Sequence, residues 1–305
     1  MTISELVNLS RVQFLDDALE PFEWSNILLA QYATEAERQA AKRASLLLDD
    51  TTQTADNVAS GTATSTTADK LIDSAATFTS AMVGYVVYNS TDNTWATITA
   101  MDSTTSVSIS NDIMVSGETY VIGDSSKALC KVCVTEGTGS YSLSHKVLKI
   151  DYCYLESQGG TTLSQKTKGW LDRNYYQWRT AEGTPRYYLE ERGKITLVPK
   201  PNAAFNSNTG QDTLNLSVYR LPLLSLDISL DNEPEIPEEY HMALIDYVCY
   251  LCYAKQGSAA FDLEKSGRHL AIFTAKFGEE LSANAASILK EIGSDFSFEP
   301  QSFGL

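Results

Sequence analysis

The stretch from Glu235 to Lys255, Glu-Ile-Pro-Glu-Glu-Tyr-His-Met-Ala-Leu-Ile-Asp-Tyr-Val-Cys-Tyr-Leu-Cys-Tyr-Ala-Lys, constrains the fold more than any other part of the chain. Pro237 suits a first helical position, where a missing N–H costs nothing. Glu238 and Glu239 follow in the turn where the helix dipole favours acids, and Gly257 is available as a stop. A helix over 237–255 is therefore predicted. Tyr240, Ala243, Leu244, Tyr247, Val248 and Leu251 recur at spacings of three and four, while Ile245, Cys249, Tyr250 and Tyr253 make the opposite face apolar as well. Between Met242 and Tyr253 only Asp246 is ionisable. A helix apolar nearly all round needs cover on more than one side, and the expectation is that a neighbouring copy supplies part of it. Tyr240, Ile245, Cys249, Tyr250 and Tyr253 are accordingly candidate interface residues, and the chain reads as an assembly protein before it reads as a free enzyme.

The remaining elements follow in order. Helices are predicted over 2–15, with Thr2 to Glu5 as a capping box, and over 25–48. The second has Ser25 as N-cap, with Glu35, Glu37, Arg38, Lys42 and Arg43 on its wet face. At Thr51 the composition turns to Thr, Ser, Ala and Asp, marking residues 51–126 as an inserted β-module. Five short strands, around 70–72, 83–88, 95–101, 107–110 and 119–122, suggest a small all-β barrel or sandwich with edges paired by closure. A β-region over 127–222 follows, with a short helix at 170–178, and Leu214, Leu216 and Val218 alternate with polar residues as one buried face requires. Pro199 to Gly210 reads as a polar contact loop. A last helix is predicted over 260–292 from the stripe Leu263, Gly267, Leu270, Thr274, Phe277, Leu281, Ile288 and Ile292, stopped by Gly293. Residues 294–305 then form an extended tail whose Phe296, Phe298 and Phe303 are suited to docking on a partner. The fold class expected is α+β: a bundle of two N-terminal and two C-terminal helices with an antiparallel β-domain, divided as a core of 1–50 and 127–305 around the insert.

A chain of 305 residues accommodates two or so domains. Its 39 acidic against 23 basic residues, a net charge of −16, argue against a groove that grips nucleic acid by counterion release. DNA near such a surface slides. No charged-then-apolar leader stands at Met1 and no apolar run approaches membrane-spanning length, so a soluble chain made in the cytoplasm is expected. The five cysteines include the pairs Cys130/Cys133 and Cys249/Cys252, which have zinc-ligand character. In a strand, however, Cys130 and Cys133 point to opposite faces, and packing as reduced apolar residues is the preferred reading.

The sequence holds no catalytic constellation, cofactor site or metal site. His145, His241 and His269 lie in separate elements without a carboxylate or cysteine at ligand spacing. Asp16-Asp17 and Glu238-Glu239 are neighbours on a helix and face different ways. Asp92, Asp102, Asp112 and Asp124 lack a calcium-loop pattern and read as turn formers. Nucleophile elbows, zinc-protease helices and phosphate-cradling glycine loops are all missing from the sequence.

Several stretches, taken together, resemble the head-to-tail adaptor (connector) proteins of tailed bacteriophages. They are Phe14-Leu15-Asp16-Asp17 with Trp24-Ser25, Gly139-Ser140-Tyr141-Ser142-Leu143 with Lys146-Val147-Leu148-Lys149-Ile150, and Trp178-Arg179. Gly183-Thr184-Pro185-Arg186-Tyr187-Tyr188, Ile195-Thr196-Leu197-Val198-Pro199-Lys200-Pro201, Leu216-Ser217-Val218-Tyr219-Arg220-Leu221-Pro222 and Ile236-Pro237-Glu238-Glu239-Tyr240 complete the set. The likeness covers most of 1–50 and 127–270 and departs at 51–126, which looks like a module inserted into various phage structural proteins. The resemblance implies a non-enzymatic ring of typically twelve copies, seated in the virion neck between the portal and a tail tube, nozzle or hub protein. Double-stranded DNA would pass through its lumen without specific binding. Arg186 and Tyr187 join the candidate interface, beside the alternative that they serve the domain core. The competing function is a carbohydrate-binding or adhesin-like tail component, suggested by Tyr88 and Trp95 in the Thr/Ser-rich module.

Overall fold

The computed structural model describes residues 1–15, 22–53, 57–124, 127–191, 193–202 and 211–282. In chain order the elements are α1 (Ile3–Leu9), a π-helical turn (Ser10–Leu15), α2 (Asn26–Ala44), β1 (Leu48–Asp49), β2 (Asn57–Thr62), β3 (Lys70–Ile72), β4 (Val86–Asn89), β5 (Thr94–Ser103), β6 (Ser106–Ile109) and β7 (Thr119–Gly123). There follow β8 (Lys131–Thr135), β9 (Ser140–Ser142), β10 (Val147–Leu155), β11 (Ser164–Gln165), α3 (Lys168–Asn174), β12 (Glu182–Gly183), β13 (Tyr187–Glu191), β14 (Lys194–Val198), β15 (Lys200–Pro201), β16 (Gln211–Arg220), α4 (His241–Ala254) and α5 (Leu263–Phe277). The class is mixed α+β. The chain forms two compact units, whose described residues lie within Met1–Leu48 with Tyr219–Ala285, and within Asp49–Val218.

The first unit is helical. Thr2 and Glu5 form the expected capping box of α1, and the Ser25 hydroxyl accepts the Leu28 N–H at 3.2 Å to start α2. The predicted helix 2–15 changes register at Ser10, whose hydroxyl donates back to the Leu6 carbonyl at 2.8 Å. α2 ends at Ala44, earlier than the predicted 48, because Ser45 takes the left-handed conformation. Its buried stripe of Ala30, Ala33, Ala36, Ala40 and Ala41 admits α4 closely. Two residues expected on the wet face are inside: Glu37 is 1 % exposed, and the Arg43 side chain 6 %. α4 begins through a 3-10 turn at Glu238–Tyr240, and its C-cap is Lys255 in extended conformation, two residues before Gly257. α5 is started by Asp262, whose carboxylate accepts the N–H groups of Glu264 and Lys265 at 3.0 Å. It ends at Phe277, where Gly278 adopts a φ of +87° that other residues resist. The single helix expected over 260–292 is thus interrupted, and Leu281 lies beyond its end; residues 283–292 fall outside the described part.

The second unit is β-rich. β16 is buried along most of its length, pairs antiparallel with β8 and neighbours β10, while β13 and β14 form a hairpin flanked by β11 and β9. α3, capped by the Thr167 hydroxyl on the Trp170 N–H, packs Leu171 against Leu189, Val198 and Trp178. Residues 57–124 form one six-stranded sheet in the order β2-β7-β4-β5-β6-β3. Their own core includes Leu71, Phe78, Val87, Ile98, Val107 and Ile122. β2 is not predicted by spacing, since Val-Ala-Ser-Gly-Thr lacks the branched alternation that marks a strand. β2 and β3 stand at the two ends of the ladder, and just beyond β2 the Thr64 N–H donates to the Ile72 carbonyl of β3 at 2.7 Å. Asn57 and Gly123 are ladder partners on β2 and β7.

Candidate interaction surfaces

The doubly apolar helix is covered by its own unit. α4 packs against α2, α5, α1 and the π-helical turn, which buries Ile245, Cys249 and Tyr253 in the chain's core. The Tyr253 hydroxyl donates to the Phe14 carbonyl at 2.6 Å, and its ring stacks on His269. The expectation that this second face needs a neighbouring copy is therefore corrected: α5 and the N-terminal segment supply the cover. Only Tyr240 and Tyr250 of the five candidates remain half-buried. Arg186 is exposed and Tyr187 half-buried, on β13 and its approach. Phe296, Phe298 and Phe303 lie outside the described residues, as does 203–210 of the expected contact loop.

Sequence spacing also missed two part-buried polar contacts in this unit. His269 Nδ1 lies 2.8 Å from Asp246 Oδ1, a pair 23 residues apart that only helix packing brings together. Arg43 donates to Thr274 Oγ1 and to the Gly278 carbonyl, and its guanidinium lies 5.3 Å from the Phe273 ring centroid, so it ties α2 to the end of α5. Glu37 accepts the backbone N–H groups of Glu235 and Ile236, while its second oxygen has no hydrogen-bond partner among the described residues. Burial raises its carboxyl to about 7. Glu235 in turn accepts from Arg220, Leu223 and Leu224, which pins the approach to α4. His241 donates its Nε2–H to the Ile236 carbonyl at 2.8 Å and leaves Nδ1 without a partner among the described residues, whereas His145 is exposed.

In the second unit Trp95 and Tyr88 are not free to stack on a sugar. Both are buried, their rings 4.5 Å apart. The Trp95 indole donates to Thr213 Oγ1 on β16 at 2.9 Å, and Lys131 on β8 lies over Tyr88. The pair fastens the 57–124 strands to the strands after 127, with burial raising the Tyr88 hydroxyl to about 12. A cleft of about 290 Å³ beside it is lined by Asp92, Thr94, Asn111, Glu156 and Asp212 among others. Asp212 is committed there, accepting from Ser157 and the Thr213 N–H. Asp102 pairs with Lys70 and lies below the usual carboxylate range because of that bond. Cys130, Cys153, Cys249 and Cys252 are buried and Cys133 half-buried, with burial raising the Cys133 thiol to about 12. Among the described residues no group of three or more His, Cys, Asp or Glu is placed to hold a metal, and no helix is long and apolar enough to cross a membrane.

Around α3 lies a set of half-buried and exposed aromatic and cationic side chains. Trp170 and Tyr187 lie 5.4 Å apart, Lys166 sits 4.7 Å above Trp170, and Tyr176 is 87 % exposed. No curated protein matches the chain. The family described as SU10 adaptor protein matches residues 126–290, more than half of the chain, beginning just after the six-stranded sheet ends. This match shows that the chain belongs to the SU10 adaptor protein family, a family of phage structural adaptors.

Proposed function

We propose that the protein is a head-to-tail adaptor that closes into a ring between the portal and the tail, with the twelve or so copies that the sequence resemblance implies. The observation that carries this reading is the family match over 126–290. A closed ring is built from two different complementary patches on each subunit, and neither needs to be the second face of α4. Candidate contacts are Tyr240, Tyr250, Arg186 and Tyr187, with Phe296, Phe298 and Phe303 of the tail engaging the portal. The net charge of −16 supports a lumen along which double-stranded DNA moves without adhering. Residues 51–126 are proposed as an insert into the adaptor core. Negative-stain imaging of the purified protein, alone and mixed with its portal, tests the reading: rings seated on the portal are expected, and a monomer that ignores the portal would overturn it. Removal of residues 294–305 is expected to abolish portal pull-down while leaving the melting temperature unchanged.

A further inference from the structure

We infer that the face around α3 seats a neighbouring copy of this chain, which presents to it the acidic loops that join the strands of its 57–124 sheet. Such a contact rests on the ring reading and specifies one of the ring's two patches. Between Lys166 and Lys200 eight Lys and Arg meet four Asp and Glu, in a chain that is otherwise acidic. Residues 57–124 carry seven Asp and Glu against one basic residue, Lys70, whose ammonium is already held by Asp102 at 2.8 Å. With Asp73 buried and Asp102 held by Lys70, the exposed loops of this sheet keep an acidic excess while the stretch around α3 keeps a basic one, which suits a head-to-tail contact between identical subunits.

The geometry gathers the cations on one side of the β13–β14 hairpin. Lys168 bonds Glu191 at 2.6 Å, and Glu191 is the ladder partner of Lys194. Lys166 lies over Trp170, and Arg173 Nε is anchored on the Gly169 carbonyl at 2.9 Å. Lys166, Arg173 and Lys194 have no acidic partner among the described residues. Beside them stands Tyr176, 87 % exposed. An open aromatic among unpaired cations has the composition of an interface centre. On the acidic side, Asp92 shares a hydrogen bond with Glu118 and is repelled by its charge, which holds the Asp92 carboxyl above its usual range. A cation from outside relieves that repulsion. DNA is the less suited occupant, because Asp172, Glu190 and Glu191 are interspersed with the cations and oppose phosphate.

The test uses the full chain in sedimentation velocity at low and high salt. Arg173→Glu/Lys194→Glu is expected to weaken self-association at least about tenfold at low salt, and mixing it with Asp92→Lys/Asp112→Lys is expected to restore it. Arg173→Gln/Lys194→Gln and Tyr176→Ala, which place no new charge near Glu191, are expected to weaken association in the same direction with unchanged melting. Wild-type association in all these variants would overturn the inference and leave the ring reading standing. A wild-type chain that stays monomeric even with its portal would instead remove the ring reading itself. Variants that associate normally but lose retention of a double-stranded DNA fragment would overturn the inference and assign the face to DNA.

Discussion

Glu37 shows how a residue's neighbours overrule its position in a helix pattern. It lies between Ala36 and Arg38 on α2, where spacing points it to the solvated side, yet it is 1 % exposed and accepts the N–H groups of Glu235 and Ile236. Desolvation is the largest influence on its carboxyl and raises it from 4.5 to about 7. The folded chain therefore holds a proton there that the unfolded chain releases at lower pH. The associated stability is fully present below about pH 4.5 and is lost as pH rises through about 7. Its size is on the order of 3 kcal/mol, since each tenfold change in proton affinity is worth about 1.4 kcal/mol. Glu37→Gln keeps a carbonyl oxygen for the two N–H groups and is expected to flatten this part of the profile. Melting temperatures of both proteins from pH 4.5 to about 8 check it, and parallel curves would refute the assignment.

At the scale of elements, helix beginnings were legible and helix ends were not. Thr2 and Ser25 each place an oxygen where a first-turn N–H needs one, a local requirement that sequence states directly; Asp262 does the same for α5, two residues after the predicted start at 260. Ends depend on which residue turns left-handed, and Gly278 is masked in the sequence because Leu281 continues the apolar spacing of α5. The structure puts Phe273 wholly inside and leaves Leu281 53 % exposed. Phe273→Ala is expected to cost about 3–5 kcal/mol in urea unfolding, and Leu281→Ala no more than about 0.5 kcal/mol. Comparable costs at the two positions would restore the longer helix. The apolar character of both sides of α4 was also legible, but not what covers it, because cover by α2 and α5 and cover by a second copy write the same pattern along one helix. On the interaction side, Arg186 and Tyr187 were readable as candidates, whereas the cations collected around α3 become neighbours only through the β13–β14 pairing.

For the whole molecule, the two compact units divide the labour between helical packing and sheets, and residues 57–124 carry their own core within the second. If this stretch is an insert, residues 54–125 expressed alone are expected to melt in one cooperative transition followed by circular dichroism, and a featureless melt would count against it. Trp95→Phe in the full chain removes the indole donor to Thr213 and is expected to lower stability by about 1 kcal/mol while sparing that sheet's own core. The pairing of Asn57 with Gly123 has a further consequence. The backbone leaves for the six-stranded sheet and comes back within a single interstrand spacing, roughly 5 Å. If the stretch is the proposed insert, ends this close together would let a phage lineage gain, exchange or discard it as a cassette.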